Sequence, residues 1–225
     1  STLMEAGRDS CQGLEVGSKA ELAGAISLMA GSDGYLICNG HKDKGYFRLA
    51  SRAHRLGIKV VLVLETPQEV RKLIALDLPK EHVPEIGIRL KLLTEVDSEW
   101  EKSSGINGPV GLTPARVLAA IRRLKAAGLS EHFRLLHFHQ GSQVRSLDDL
   151  RESVVEACRA YIDLKKSGDA PNLDAIDVGG GLAVDLGVPT EYRKFSRVYD
   201  MESYCKTVVG TIDRLCLLYT SPSPR

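Results

Sequence analysis

The chain has 225 residues, 43% hydrophobic and 26% charged, with a formal net charge of +1. Its lysines and arginines are balanced by acids and form no long basic run, which sets nucleic-acid binding aside. No apolar stretch approaches the roughly 18 residues of a membrane span, and five cysteines without CxxC spacing suit a reducing compartment.

The start, Ser1-Thr2-Leu3-Met4, has neither the basic segment nor the apolar core of a signal peptide. The expected address is the cytoplasm, or a plastid if a transit peptide precedes this start. From Gly13 a unit recurs: a short apolar run, a polar turn, then an amphipathic helix. Gly13–Gly17 is the first run. Ser18 and Glu21 have the spacing of a capping box, in which a hydroxyl and a carboxylate each accept from the other residue's backbone amide. Leu22, Ile26 and Met29 make the helix face, and Gly31 ends it.

Tyr35–Cys38 is the second strand, followed by a helix from Asp43 towards Leu56 with Leu49, Ala53 and Leu56 as its packing face. Val60–Leu64 is the third. Thr66 caps the next helix, Pro67 fits its first turn, and Glu69 completes a second box. Ile86–Leu90 is a fourth strand, and a polar connection spans residues 95–111. Thr113-Pro114 opens a helix whose stripe is Val117, Leu118, Ile121 and Leu124, closed by Gly128. Phe133–His139 is the fifth strand. Ser146 and Asp149 cap a helix with Leu150, Val154, Cys158, Tyr161 and Ile162 on its face. Leu173–Val178 is the sixth strand, running into three glycines. From Leu215 the chain shows no helical or strand pattern, and residues 215–225 are expected to be a non-native tail.

Six strands separated by helices require parallel pairing with helical crossovers. An open doubly wound sheet and a closed barrel both satisfy that pattern, and both place sites at carboxyl-terminal strand ends.

Gly179-Gly180-Gly181 follows an apolar strand. Without Cβ atoms, backbone amides there can approach an anion, or the run can serve simply as a tight turn. Alternation puts His137 and His139 on one side of an extended segment. A zinc site would need further converging ligands that the sequence does not supply. Beside the small Gly141-Ser142 turn, the His139 imidazole can lie against an aromatic cofactor while Ser142 donates to phosphate, or both can serve packing and capping. Glu15 and Arg89 are ionisable residues inside strand-like runs, so they line a wet cavity or have partners.

Four ordered stretches, Gly13–Leu22, Cys38–Asp43, Leu135–Gln143 and Asp177–Leu182, together resemble the biosynthetic arginine decarboxylases, in the alanine-racemase-like group of pyridoxal-phosphate-dependent decarboxylases. The resemblance covers about residues 11–210. It implies an α/β fold: a partial TIM-like (β/α)8 barrel lacking the first, lysine-bearing strand and the last strand. It implies pyridoxal 5'-phosphate as cofactor, with magnesium as a second. His139 looks like the histidine on the cofactor ring, Ser142 like a phosphate-side donor, and Gly179, Gly180 and Gly181 like the phosphate site. Glu15 matches an acid near the catalytic lysine and cofactor, and Arg89 is placed among the cofactor-binding residues. The implied reaction turns L-arginine into agmatine and carbon dioxide for polyamine synthesis, in a homo-oligomer. His41 stands where the family motif has an aromatic residue, and Pro109–Leu112 departs from a Lys-Phe-Gly stretch. The 225-residue chain alone is expected to be inactive. Alternatives are a diaminopimelate or other basic amino-acid decarboxylase, a catalytically dead regulatory homologue, and an NAD-binding domain, although the dinucleotide glycine fingerprint is missing.

Overall fold

A computed structural model describes residues 13–94, 110–184, 187 and 199–220. Most of the polar connection (95–109), the chain start and residues 221–225 of the proposed tail lie outside the described residues.

The strands are β1 (Leu14–Val16), β2 (Tyr35–Cys38), β3 (Lys59–Leu64), β4 (Glu85–Leu90), β5 (Phe133–Phe138) and β6 (Ala175–Asp177). The helices are α1 (Lys19–Met29), α2 (Lys44–Arg55), α3 (Pro67–Ile74), α4 (Pro114–Ala126), α5 (Leu147–Ser167) and α6 (Met201–Thr220). The sheet order is β1-β2-β3-β4-β5-β6, with each strand beside its predecessor in the chain. An open doubly wound sheet reverses its order at a switch point, and a (β/α) barrel does not. The monotonic order therefore decides the choice that periodicity left open, in favour of the barrel arrangement.

The chain divides into two compact units. The first comprises residues 1–88, 116–135 and 170–174. Its parallel registers run Glu15 with Ile37, Leu36 with Val60, and Leu62 with Ile86. Val60 through Leu64 are buried at every position, so both faces of β3 are covered. That is the condition that makes a parallel strand read as a continuous apolar run. Ser18 and Glu21 form the expected capping box at α1. At α2 the buried residues are Tyr46, Phe47, Ala50, Ser51 and Ala53, while Leu56 is 74% exposed at the C-cap. Leu56 therefore does not belong to the packing face. In α4, Ala120 takes the buried place expected of Leu118, which is exposed.

The second unit comprises residues 89–115, 136–169 and 175–225. Ser146 caps α5 by accepting from the Asp149 amide, and Gly168 ends it in the left-handed conformation. Leu150, Val154, Cys158 and Ile162 are buried as the spacing implies. Helix α6, which packs on α5, continues to Thr220, beyond the point where the sequence pattern suggested that helix is lost. No helix among the described residues is long and apolar enough to cross a membrane.

Candidate active site

In the first unit, β1 ends at the exposed Glu15 and the buried Val16, and the chain leaving β2 folds back over them. The Asn39 amide donates to the Val16 carbonyl at 2.8 Å, and the Asn39 side chain donates to the Glu15 carboxylate. Glu15 is thus partnered rather than isolated. Gly40 has φ of +71°, and a Cβ there would fall 2.0 Å from the Gly17 carbonyl oxygen. Only glycine lets these two loops approach.

Below Asn39 lies a buried ion pair that spacing did not reveal. The Lys42 ammonium donates to the Gly40 carbonyl at 2.7 Å and stands 3.8 Å from the Glu69 carboxylate, with both side chains essentially excluded from solvent. Glu69 also accepts from the backbone amides of Lys42 at 3.0 Å and Glu65 at 2.7 Å. This corrects the second capping box. Thr66 does cap α3 by accepting from the Glu69 amide, but the Glu69 carboxylate turns to a loop 27 residues away. The Tyr46 hydroxyl lies 3.2 Å from the Asn39 carbonyl and 3.3 Å from that of Val16. Burial pushes the nearby Cys38 thiol up to about 12, against the lowering effects of Tyr46 and Lys42.

In the second unit, β5 delivers His137 to the interior and His139 to a half-buried position just past the strand end. His137 Nδ1 lies 2.8 Å from Asp177 Oδ2. The two atoms meet at close range without the alignment of a hydrogen bond. Burial pushes the Asp177 carboxyl up. Interaction with His137 and the Gly179 amide outweighs it and holds the group below its ordinary value. Neither His137 nor Asp177 was singled out as a site partner from sequence. Their polar side chains at the ends of two apolar strands were the available signal.

The glycine run is stitched to the segment that follows β5. Gly179 donates to Asp177 Oδ1 at 2.8 Å, and Gly180 donates to His139 Nδ1 at 3.2 Å. The Gly180 carbonyl accepts from the Gln140 side chain at 3.1 Å, and the Gly181 carbonyl from the Val144 amide at 2.9 Å. Gly179 and Gly181 have φ of +64° and +111°, and a Cβ on either would come within 2.6 Å of a backbone oxygen. At Gly180 an added Cβ would meet only the His139 ring, at 3.8 Å. The run therefore leaves bare backbone beside an imidazole, while the flanking glycines let it pass close to its neighbours.

His139 and Gly179–Gly181 are thus brought together as the sequence implied. Ser142 is exposed in the same connecting segment, next to Gln143, which has φ of +56° and accepts from the Val184 amide at 2.7 Å. Arg89 is half-buried one residue before the end of β4, where its carbonyl accepts from Leu112 at 2.8 Å.

A flat imidazole, a nearby hydroxyl and a glycine turn fit a phosphorylated aromatic ring, and comparison with known proteins agrees. Residues 1–217 match the family model described as the pyridoxal-binding domain of pyridoxal-dependent decarboxylases. The chain is 38% identical over 214 residues to the biosynthetic arginine decarboxylase of Shewanella frigidimarina and 40% identical over 214 residues to that of Prochlorococcus marinus. Each match covers 95% of this chain and 33% of the relative, so the chain spans about a third of the length of those proteins. The crystal structure of the Campylobacter jejuni biosynthetic arginine decarboxylase superimposes with a TM-score of 0.79 at 31% identity, covering 99% of this chain and 35% of that one. A Vibrio vulnificus lysine/ornithine decarboxylase shares the fold at a TM-score of 0.67 and 19% identity, over 94% of this chain and 48% of that one.

Proposed function

The chain belongs to the pyridoxal-dependent decarboxylases, and we propose that the protein of which it is part converts L-arginine into agmatine and carbon dioxide. The observation that carries the reading is the meeting of His139 with the bare backbone of Gly180, inside a chain 38–40% identical to arginine decarboxylases.

Pyridoxal phosphate, when bound, supplies an electron sink for the pair released as the substrate carboxylate departs. The chain's own residues hold and shape the place where that happens. His139 presents a flat ring for stacking, Ser142 offers a hydroxyl to phosphate, and the glycine run leaves room for an anion against backbone. Arg89 adds a positive charge suited to the phosphate side. By its resemblance to the family, Glu15, steadied by Asn39 in the first unit, is the carboxylate that holds a proton. Placement of His139, Ser142 and the glycine run by the second unit orients the ring, and such positioning contributes to the rate of an aligned reaction. A homo-oligomer in the cytoplasm completes the reading, and magnesium as a second cofactor rests on the family resemblance alone.

The test is product analysis of the parent protein supplied with pyridoxal phosphate and, separately, L-arginine, L-ornithine, L-lysine and diaminopimelate. Agmatine formed fastest from arginine supports the proposal. Preferential turnover of another substrate would transfer the activity to it, and no turnover of any would favour a regulatory homologue. Parallel runs with magnesium or a chelator decide the metal requirement.

A further inference from the structure

We infer that Asp177 is a positioning residue that fixes the ring of His139 through the Gly179 and Gly180 amides, and that His139 is thereby held as a neutral imidazole with its proton on Nε2. The inference rests on the cofactor reading for its consequence but on geometry for its substance.

Asp177 ends β6 with its carboxylate divided between two tasks. Oδ1 accepts from Gly179 at 2.8 Å, while Oδ2 faces His137 Nδ1, also at 2.8 Å. The first contact fixes the start of the glycine turn. Only glycine fits at this position, because a Cβ built on residue 179 would stand 2.6 Å from the Phe138 carbonyl oxygen and 2.8 Å from His139 Nδ1. The next amide, on Gly180, points at His139 Nδ1 and donates to it. Beyond it, Gln140 holds the Gly180 carbonyl, so the residue that carries the donor is held through both its amide and its carbonyl.

An N–H can donate only to a nitrogen that bears a lone pair. His139 Nδ1 is therefore unprotonated, and a neutral ring must carry its hydrogen on Nε2. Partners of this kind select the tautomer and orientation of a histidine. The contact from His137 gives the Asp177 carboxylate a reason to be ionised in a setting where burial alone would favour the neutral acid. The sequence His137, Asp177, Gly179, Gly180, His139 is thus a relay of contacts from the interior to the face of the proposed cofactor site.

The experiment labels the histidines of the full 225-residue chain with nitrogen-15 and reads ring tautomers at neutral pH, assigning His139 by its loss in His139→Gln. The expected result is an unprotonated Nδ1 and a protonated Nε2 on His139. In Asp177→Ala the His139 signals should move towards mixed tautomers, and the dissociation constant of the parent protein for pyridoxal phosphate should rise about ten-fold, the scale of one lost hydrogen bond to an ionised group. Ile162→Val, a core change in the same unit, should leave both readouts in place.

A wild-type His139 with its proton on Nδ1 overturns the inference by itself, including where Asp177→Ala does not fold. Unchanged His139 signals in a folded Asp177→Ala chain overturn it as well, as does an equal displacement in Ile162→Val. A parent protein that binds no pyridoxal phosphate, with the stated tautomer present in the wild-type chain, would instead count against the cofactor reading.

Discussion

The Lys42 ammonium and the Glu69 carboxylate face each other at 3.8 Å with neither side chain reaching solvent. Because the lysine also holds the Gly40 carbonyl and Glu69 the amides of Lys42 and Glu65, the pair ties the loop after β2 to the start of α3. That loop carries Asn39, the partner of Glu15.

Removing one member of this pair leaves a buried charge uncompensated. Lys42→Met is expected to destabilise the chain by roughly 3–5 kcal/mol. The double variant Lys42→Met/Glu69→Leu should recover part of that loss. Urea denaturation of wild type, both single variants and the double variant measures the coupling; simple additivity would show that the two side chains act separately.

Two glycine-to-alanine changes should have opposite signs. In α1, a Cβ at Gly24 meets nothing within 4 Å, so Gly24→Ala should stabilise by about 0.5–1 kcal/mol. Gly179→Ala forces a side chain into the left-handed region, at a cost of about 1–2 kcal/mol before its overlap with the Phe138 carbonyl is counted. Thermal midpoints of the two variants provide the check.

His139→Ala in the parent protein should raise the dissociation constant for pyridoxal phosphate on the order of ten-fold, from the lost ring contact of about 1.5 kcal/mol. Turnover should fall with it. Unchanged cofactor affinity and rate would remove His139 from the site.

Ser142→Ala should weaken phosphate anchoring by up to about ten-fold, as loss of one hydrogen bond would. Free pyridoxal, which lacks the phosphate, should bind wild type and variant alike. A variant that loses affinity for both forms would place the hydroxyl elsewhere than at the phosphate.

Asp177 gives a pH dependence with a definite sign. Its carboxyl is depressed in the folded chain, so it contributes stability that is fully present above the unfolded carboxyl's value. That contribution is lost as pH falls through the lower folded value. The stability margin of wild type over Asp177→Asn should therefore be level near neutrality and shrink on acidification below the ordinary carboxylate range. Urea midpoints taken at stepwise lower pH provide the check, and a margin that stays constant would reject the assignment.

Element type and local chemistry were legible wherever the cause of a structure lies within a few residues. Ser18 and Glu21 read correctly as a capping box because both partners sit on one turn of helix. Ser146 capped α5, and Gly168 stands at its end in the conformation that glycine tolerates best. The same local rule misjudged Glu69, since an i to i+3 spacing cannot register a lysine 27 positions earlier that competes for the carboxylate. Leu56 and Leu118 were misplaced for a related reason. Apolar character says that a residue gains from burial, but the direction in which a helix meets its sheet decides which ones are buried.

What the sequence alone determined is the alternation of strands and helices, the kinds of residue at the strand ends and the resemblance carried by four short motifs. Those are consequences of hydrophobic period and local hydrogen bonding, which act along the chain. Only the tertiary structure decided that the strands keep their chain order in the sheet, that Lys42 is buried against Glu69, and that Asp177 joins His137 to the glycine turn. Each of these depends on groups distant in sequence meeting where water is excluded, and the energy of such a meeting exists only once the fold has brought them together.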